Sequence, residues 1–304
     1  MKKVIVTTTI NSPTLAINKF EAMEDWELVV AADKKTPTDY KLKKGILLTT
    51  KMQEDYDKKL SDLIGWNCIQ RRNFGLLWAY DMGADIIAVV DDDNIPYSGW
   101  GKNLMLGKKV KVNYYETNLS AFDPVGATNI GKLWHRGYPL QLLSKRDYSK
   151  KKIKEITPDI QADFWNGDPD IDAICRMEHA PECKFQNKYF PIASNKISPF
   201  DSQNTFLLRK VLKDYFLFPE VGRMDDIWAA YFAQAKGFRV VYGKPSVYQS
   251  RNAHDLTKDM KAEILGYEHN LNIVEKIVYN PNVIKDFISE KSWKTFILYR
   301  KHFK

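Results

Sequence analysis

Cysteine is scarce in this 304-residue chain: Cys68, Cys175 and Cys183 are the only three. Three scattered thiols cannot build a disulfide framework, and a reducing compartment is the simpler reading. No apolar run approaches the ~20 residues that a membrane-spanning helix needs. Residues 1–10 carry two lysines before a short apolar run that ends in threonines. That pattern fits a first strand better than a secretion signal. There is no P-loop, no G-x-G-x-x-G and no G-x-S-x-G, which excludes readings as a P-loop ATPase, a dinucleotide oxidoreductase or a nucleophile-elbow serine hydrolase. Zinc-finger spacing and RNA-recognition signatures are missing too. The net charge of +8 by itself fits a solvated lysine-rich surface; among polyanionic partners, phosphorylated small molecules or anionic lipid come before nucleic acid.

With 44% hydrophobic and 28% charged residues, the composition is that of a globular protein with no disordered tract. Residues 4–9 read as a buried strand. Ser12-Pro13 offers a helix N-cap and an N1 proline, for a helix running to about Met23. Further strands are expected at 26–32 and 46–49, helices within 60–82 stopping at Gly83, and a strong strand at 85–90. Such alternation predicts an α/β domain with a mainly parallel sheet. Residues 97–200 show little periodicity and are rich in aromatics and asparagine, as binding loops are. A helix at 225–236 stops at Gly237, a strand follows at 238–242, and the chain from 257 is helical and lysine-rich. One catalytic domain over 1–255 and a helical basic extension over 256–304 are expected.

Four segments carry chemistry. Asp91-Asp92-Asp93-Asn94 leaves an apolar strand directly. Three adjacent carboxylates repel one another unless a cation compensates them, and hard ions such as Mg2+ and Mn2+ take carboxylate oxygens. The end of a parallel strand is also where ligands bind in open sheets. Gln70-Arg71-Arg72-Asn73 brings two arginines, which pair well with phosphate oxygens. Arg223-Met224-Asp225-Asp226 places two carboxylates at a helix start, suited to capping or to general-base work. In the fourth, Trp165 to Asp172, aspartates alternate as in a calcium loop. The sixth and twelfth loop positions are Ala173 and His179, not glycine and glutamate, so the EF-hand reading fails. Cys175, His179 and Cys183 share a spacing of four, yet Pro181 breaks the helix that a shared face would need, and a fourth zinc ligand is missing.

The order of these segments resembles that of GT-A glycosyltransferases. TTTINSP, WELVVAADKKTP, FWNGDPDIDA and YQSRNAH are similar to the STELLO family. RRNFG, VVDDDNIP and GRMDDIWAAY are similar to the reversibly glycosylated polypeptide family, which includes UDP-arabinopyranose mutases; the intact DDDN is closer to the latter. The resemblance implies a GT-A, Rossmann-like nucleotide-sugar-binding fold and a glycosyltransferase. A sugar would pass from a nucleotide-sugar donor, UDP by default, to a glycan or lipid-linked acceptor, with inversion. It implies that Thr8, Asn11 and Asp33 lie near the nucleoside, and that Arg71, Arg72 and Asn73 approach ribose and phosphates. Asp91 and Asp92 would hold nucleotide and sugar, while Trp165, Asp168 and Asp170 would face sugar or acceptor. Asp93, with Asp91 and His254, would bind Mn2+ or Mg2+, and Asp226 or Asp225 would be the base. A nucleotide-sugar mutase and a non-catalytic interaction subunit are the alternatives. The basic, aromatic segment 291–304 is expected either to pack on the domain or to touch a membrane from the cytoplasmic side.

Overall fold

A computed structural model describes residues 1–251 and 255–304. The strand–helix alternation is as follows: β1 (Lys3–Thr9), α1 (Leu15–Glu21), β2 (Glu27–Ala32), β3 (Ile46–Leu48), α2 (Thr50–Tyr56), α3 (Lys58–Ile64), α4 (Arg72–Asp81) and β4 (Ile86–Val90). β5 (Asn94–Pro96), β6 (Val110–Tyr115), β7 (Lys151–Ile156), β8 (Ile160–Gly167), α5 (Ala173–His179), β9 (Ile192–Ser194) and β10 (Asn204–Leu208) form the middle. α6 (Asp225–Ala235), β11 (Val240–Gln249), α7 (Leu256–Ile277) and α8 (Glu290–Arg300) complete it.

All described strands join one sheet, whose main path runs β3-β2-β1-β4-β10-β8-β11-β9-β6-β7. β3, β2, β1 and β4 are mutually parallel. β2 and β4 are almost wholly apolar and buried, as expected of strands covered on both faces, and β1 is buried at Val4–Val6 before its run of threonines. β10 inserts antiparallel between β4 and β8, and β8 runs parallel to β11. The carboxyl ends of β1, β2, β4, β8 and β11 thereby open onto one edge.

The first helix starts later than Ser12-Pro13 suggests. Thr14 is the N-cap, its Oγ1 accepting from Ile17 N, and it also donates to Asp92 O at 2.5 Å. A threonine that caps a helix while bonding the acidic turn is fixed by two elements at once; Ser12 has only the local role to offer. The last strand spans ten residues rather than the five of 238–242, because β8 pairs with it on both sides of an irregularity between Gly243 and Val247, while β9 and β5 add partners at Tyr242 and at Val247–Gln249.

The segment after β11 is built into the fold. Within α8, Phe296 is fully buried among Phe216, Phe218 and Phe232, with ring centroids 5.1–5.5 Å apart. Tyr299 and Phe303 are buried as well. Burying one such ring stabilises by roughly 1.5–3 kcal/mol, so this face is committed to the domain. No described helix is long and apolar enough to cross a membrane.

α7 approaches the chain just ahead of α6 closely. Gly222 has φ +59°, and a Cβ there would lie 2.0 Å from the Ala262 carbonyl oxygen. Gly222→Ala is expected to lower the melting temperature by several degrees, since the left-handed conformation alone costs roughly 1–2 kcal/mol and the backbone contact adds to it. Calorimetry of the variant checks this; an unchanged melting temperature would mean that α7 is not seated here.

Candidate active site

Strand ends and helix starts deliver the acidic groups to one edge. β4 ends at Val90 and the next three residues are Asp91, Asp92 and Asp93. α6 begins with Asp225 and Asp226, a place where the helix dipole favours negative charge. β8 ends at Gly167 and feeds Asp168 and Asp170 into the same region.

The three aspartates of the turn have different surroundings. Asp91 pairs with Arg72 Nη2 at 2.5 Å. Arg72 is itself buried and also donates to Ser202 O and Oγ, at 2.9 and 2.7 Å. Asp92 Oδ2 accepts from Thr9 Oγ1, and from Asn11 Nδ2 at 3.0 Å. Asp93 Oδ1 is buried with no hydrogen-bond partner. Burial first, then the charge of Asp91, pushes the Asp93 carboxyl up to about 7. An unpartnered buried carboxylate oxygen beside a second carboxylate is costly as it stands and suits a cation. Among the described residues, no group of three or more His, Cys, Asp and Glu side chains is arranged to hold a metal. Mg2+ is commonly bound through one or two carboxylates, with waters and substrate phosphates completing its shell. Asp93 and Asp91 fit that mode. His254 lies outside the described residues.

At the centre is a residue that the sequence did not single out. Arg136, 5% exposed, donates through Nε to Asp170 Oδ2 at 2.8 Å. Its Nη1 and Nη2 reach Asp226 Oδ1 and Oδ2 at 3.0 and 3.1 Å, and Nη1 also bonds Arg223 O. Burial opposes its charge, but Asp170 and Asp226 outweigh burial and raise its pKa. In turn Arg136, then Arg251 and Arg223, hold Asp170 well below the usual carboxylate range against the effect of burial. Ser202 N and Oγ also donate to Asp226 Oδ2, at 2.9 and 3.1 Å. The ionic chain thus runs from Asp91 through Arg72, Ser202, Asp226 and Arg136 to Asp170. It continues through Arg251 to Asp168, which Arg176 also pairs, and through Arg223 to Glu263 of α7, at 2.9 Å.

The two carboxylates of α6 are therefore unequal. Asp226 is held by a bidentate arginine and a serine. Asp225 has Gln70 Nε2 as its side-chain partner, at 2.9 Å. Burial, then the charge of Asp226, pushes Asp225 up to about 7.

Several other expected residues have inward roles. Asp33 accepts from Asn67 N and Cys68 N at 2.7 and 2.8 Å, which shapes the loop before α4. Arg71 is fully buried, bonded to Gln53, Ser61 and Gly65 O and stacked on Trp66 at 3.6 Å. Asn73 pairs with the backbone of Leu217 in both directions. Thr8 Oγ1 donates to Ala31 O. For Arg71 and Asn73, the pairing of RRN with phosphate gives way to packing, because a helix start sunk under the sheet edge leaves only Arg72 facing the acidic turn. Trp165 is buried, its Nε1 unpartnered and its ring edge-on to His135 at 5.7 Å.

Arg136, Ser202 and Arg176 belong to this site, and no motif announced them. Arg136 sits in irregular chain, with Gly137 at φ +89° behind it. Arg176 lies on the short α5. The residue type alone, an arginine in an otherwise aromatic stretch, was the available signal.

No protein-family model matches the chain. It is similar to two curated proteins of Arabidopsis thaliana, Probable glycosyltransferase STELLO2 and Probable glycosyltransferase STELLO1. Each is 23% identical over 57% of this chain, and the match spans only 24% of each relative's length. Similar solved structures include glucosyl-3-phosphoglycerate synthase from Mycobacterium tuberculosis in complex with phosphoglyceric acid. It is 10% identical with a TM-score of 0.43, over 89% of this chain and 80% of that one. Another is a mannosyltransferase from Pyrobaculum calidifontis in complex with GDP-Man and Mn2+, 12% identical with a TM-score of 0.34, over 99% and 85%. The curated similarity, together with the α/β sheet described above, supports a GT-A glycosyltransferase-like fold.

Arg136→Met is expected to destabilise the protein by about 3–5 kcal/mol, because Asp170 and Asp226 would be left buried without their cation. Urea denaturation measures this directly. A loss below about 1 kcal/mol would show that the network is not what holds the site.

Proposed function

We propose that the chain is a glycosyltransferase that takes its sugar from a nucleotide-sugar donor. The observation that carries this reading is the acidic turn Asp91–Asp93 at the carboxyl end of β4, set beside the Asp225-Asp226 helix start in a chain similar to curated glycosyltransferases. Asp93, with Asp91, would hold Mn2+ or Mg2+, and a divalent ion there supplies charge neutralisation for a departing nucleoside diphosphate. Thr8, Asn11 and Asp92 frame the nucleotide side of the edge. Asp168, Asp170 and Trp165 frame the sugar and acceptor side. Arg72 keeps Asp91 oriented, and Asp93 Oδ1 is left without a hydrogen-bond partner.

Asp225 fits the role of base better than Asp226. A general base needs a free lone pair and a pKa near the working pH. Both oxygens of Asp226 are engaged by Arg136, and one by Ser202 as well. Asp225, at about 7, can take a proton from an acceptor hydroxyl. Asp226 then orients the helix start and raises its neighbour's proton affinity. UDP is the donor nucleotide expected first, and the acceptor is a glycan or a lipid-linked glycan.

Melting curves with Mn2+ and a panel of UDP, GDP, CMP and their sugar conjugates test the reading. A ligand at a hundred times its dissociation constant adds ~2.7 kcal/mol, a shift of several degrees. The expected result is a shift that requires both Mn2+ and one nucleotide class, and that is lost in Asp93→Ala. No shift with any member of the panel in folded protein would count against an enzyme. Product analysis then separates sugar transfer from isomerisation of the donor.

Asp225→Asn is expected to keep that shift and to lower kcat by roughly 10²–10⁴-fold. In the wild type, kcat should rise as pH rises through about 7 and level above it, because the base acts only when deprotonated. A flat profile between pH 5 and pH 9, or full activity in Asp225→Asn, would reassign the base.

A further inference from the structure

Beside the acidic edge lies a groove that the proposed chemistry does not use. A cavity of about 480 Å3 is walled by Tyr97, Gln161, Asp163, Asn187, Phe190 and Lys244, among others. A second hollow of about 580 Å3, bordered by Asn166 and Phe185, shares Tyr97, Asn187 and Pro245 with it. The two are one groove passing Tyr97. That groove reaches the site, because Asn166 is followed by Gly167 and Asp168, and its Nδ2 donates to the Tyr97 hydroxyl at 3.2 Å. The other approach is β5, which runs from Asn94 to Pro96 between Asp93 and Tyr97.

Tyr97 and Tyr248 are each 38% exposed. Both sit on the outer part of the β5–β11–β8 ribbon, where Tyr248 is level with Ile95 and Asn166. Exposed aromatic faces suit the apolar face of a sugar ring. Deeper in, Asp163 is buried and accepts from Gln161 Nε2 at 2.7 Å. A Cβ at residue 243 would lie 1.8 Å from Asp163 Oδ1, so Gly243 is what leaves the carboxylate its room. The lining offers donors and acceptors together, and its charged side chains are Asp163 and Lys244, with Lys184 in the second hollow. A phosphorylated ligand would call for several cations with no buried carboxylate among them; a lipid chain could lie on Leu104, Met105, Phe190 and Pro191 but would set an apolar chain against Asp163. Neutral vicinal hydroxyls, which donate and accept, match what is present.

We propose that the Tyr97 groove binds an oligosaccharide, holding acceptor residues remote from the one that receives the new sugar. The inference rests on the transfer reading above, and it narrows the acceptor to a glycan with more than one ring. Three residues lie between Asp93 and Tyr97, so the four steps span roughly 13 Å of extended chain, which is longer than a single pyranose.

Binding of mono- to hexasaccharides of gluco, manno and galacto configuration, by glycan array and titration calorimetry, tests this without requiring turnover. At least one hexasaccharide series should bind tenfold or more tighter than its own monosaccharide. Tyr97→Ala and Asn187→Ala, both at exposed positions, should bring the longer chain to within threefold of the monosaccharide. The melting shift with Mn2+ and nucleotide should be unchanged in both variants. Binding that ignores chain length, binding that survives both substitutions, or no binding in any series would overturn the inference. A nucleotide shift without oligosaccharide binding sinks the groove alone. Length-dependent binding without any nucleotide shift supports the groove and removes the donor reading instead.

Discussion

The Arg136 guanidinium is the interaction on which the site depends. It is buried between Asp170 and Asp226, so it joins the loop after β8 to the first turn of α6. A buried arginine with one carboxylate partner seldom repays its desolvation. Here it has two, a bidentate contact and a backbone carbonyl, and each remaining carboxylate oxygen borders another cation or donor. Removing one member leaves unpaired charge in a place water cannot reach. The network therefore specifies one arrangement of loop and helix more strongly than apolar packing would.

That constraint produces chemical inequality from identical residues. Asp225 and Asp226 are neighbours at one helix start, yet only Asp226 faces Arg136. Burial, and then the neighbouring carboxylate of Asp226, lifts Asp225 towards neutrality. The same logic separates Asp91, matched to Arg72, from Asp93, whose Oδ1 is unpartnered. In each pair one carboxylate is bonded to an arginine side chain, Asp226 to Arg136 and Asp91 to Arg72.

The C-terminal helices take part in this arrangement. α7 contributes Glu263, which is fully buried, pairs with Arg223 and accepts from Ala173 N at 2.8 Å. It also contributes Asn270, whose Nδ2 donates to Gly137 O at 2.9 Å, next to Arg136. α8 then closes the aromatic cluster under α6. Residues 256–304 are thus a buttress behind the acidic edge as well as a basic surface.

The sequence by itself determined the α/β alternation, the acidic turn after β4 and the carboxylate pair opening α6. Those signals are local: apolar runs bounded by polar turns, and charges adjacent in the chain. Strand limits that depend on neighbours, such as the ten residues of β11, were not legible, nor was Thr14 as the cap in place of Ser12. Tertiary structure alone decided that Arg72 of RRN faces the turn while Arg71 and Asn73 are packed inside. It also decided that Arg136, 90 residues from Asp226, is the counter-ion at the centre. The reason is physical: a charge in the interior is defined by what surrounds it, and those partners come from distant segments brought together only when the sheet closes around them.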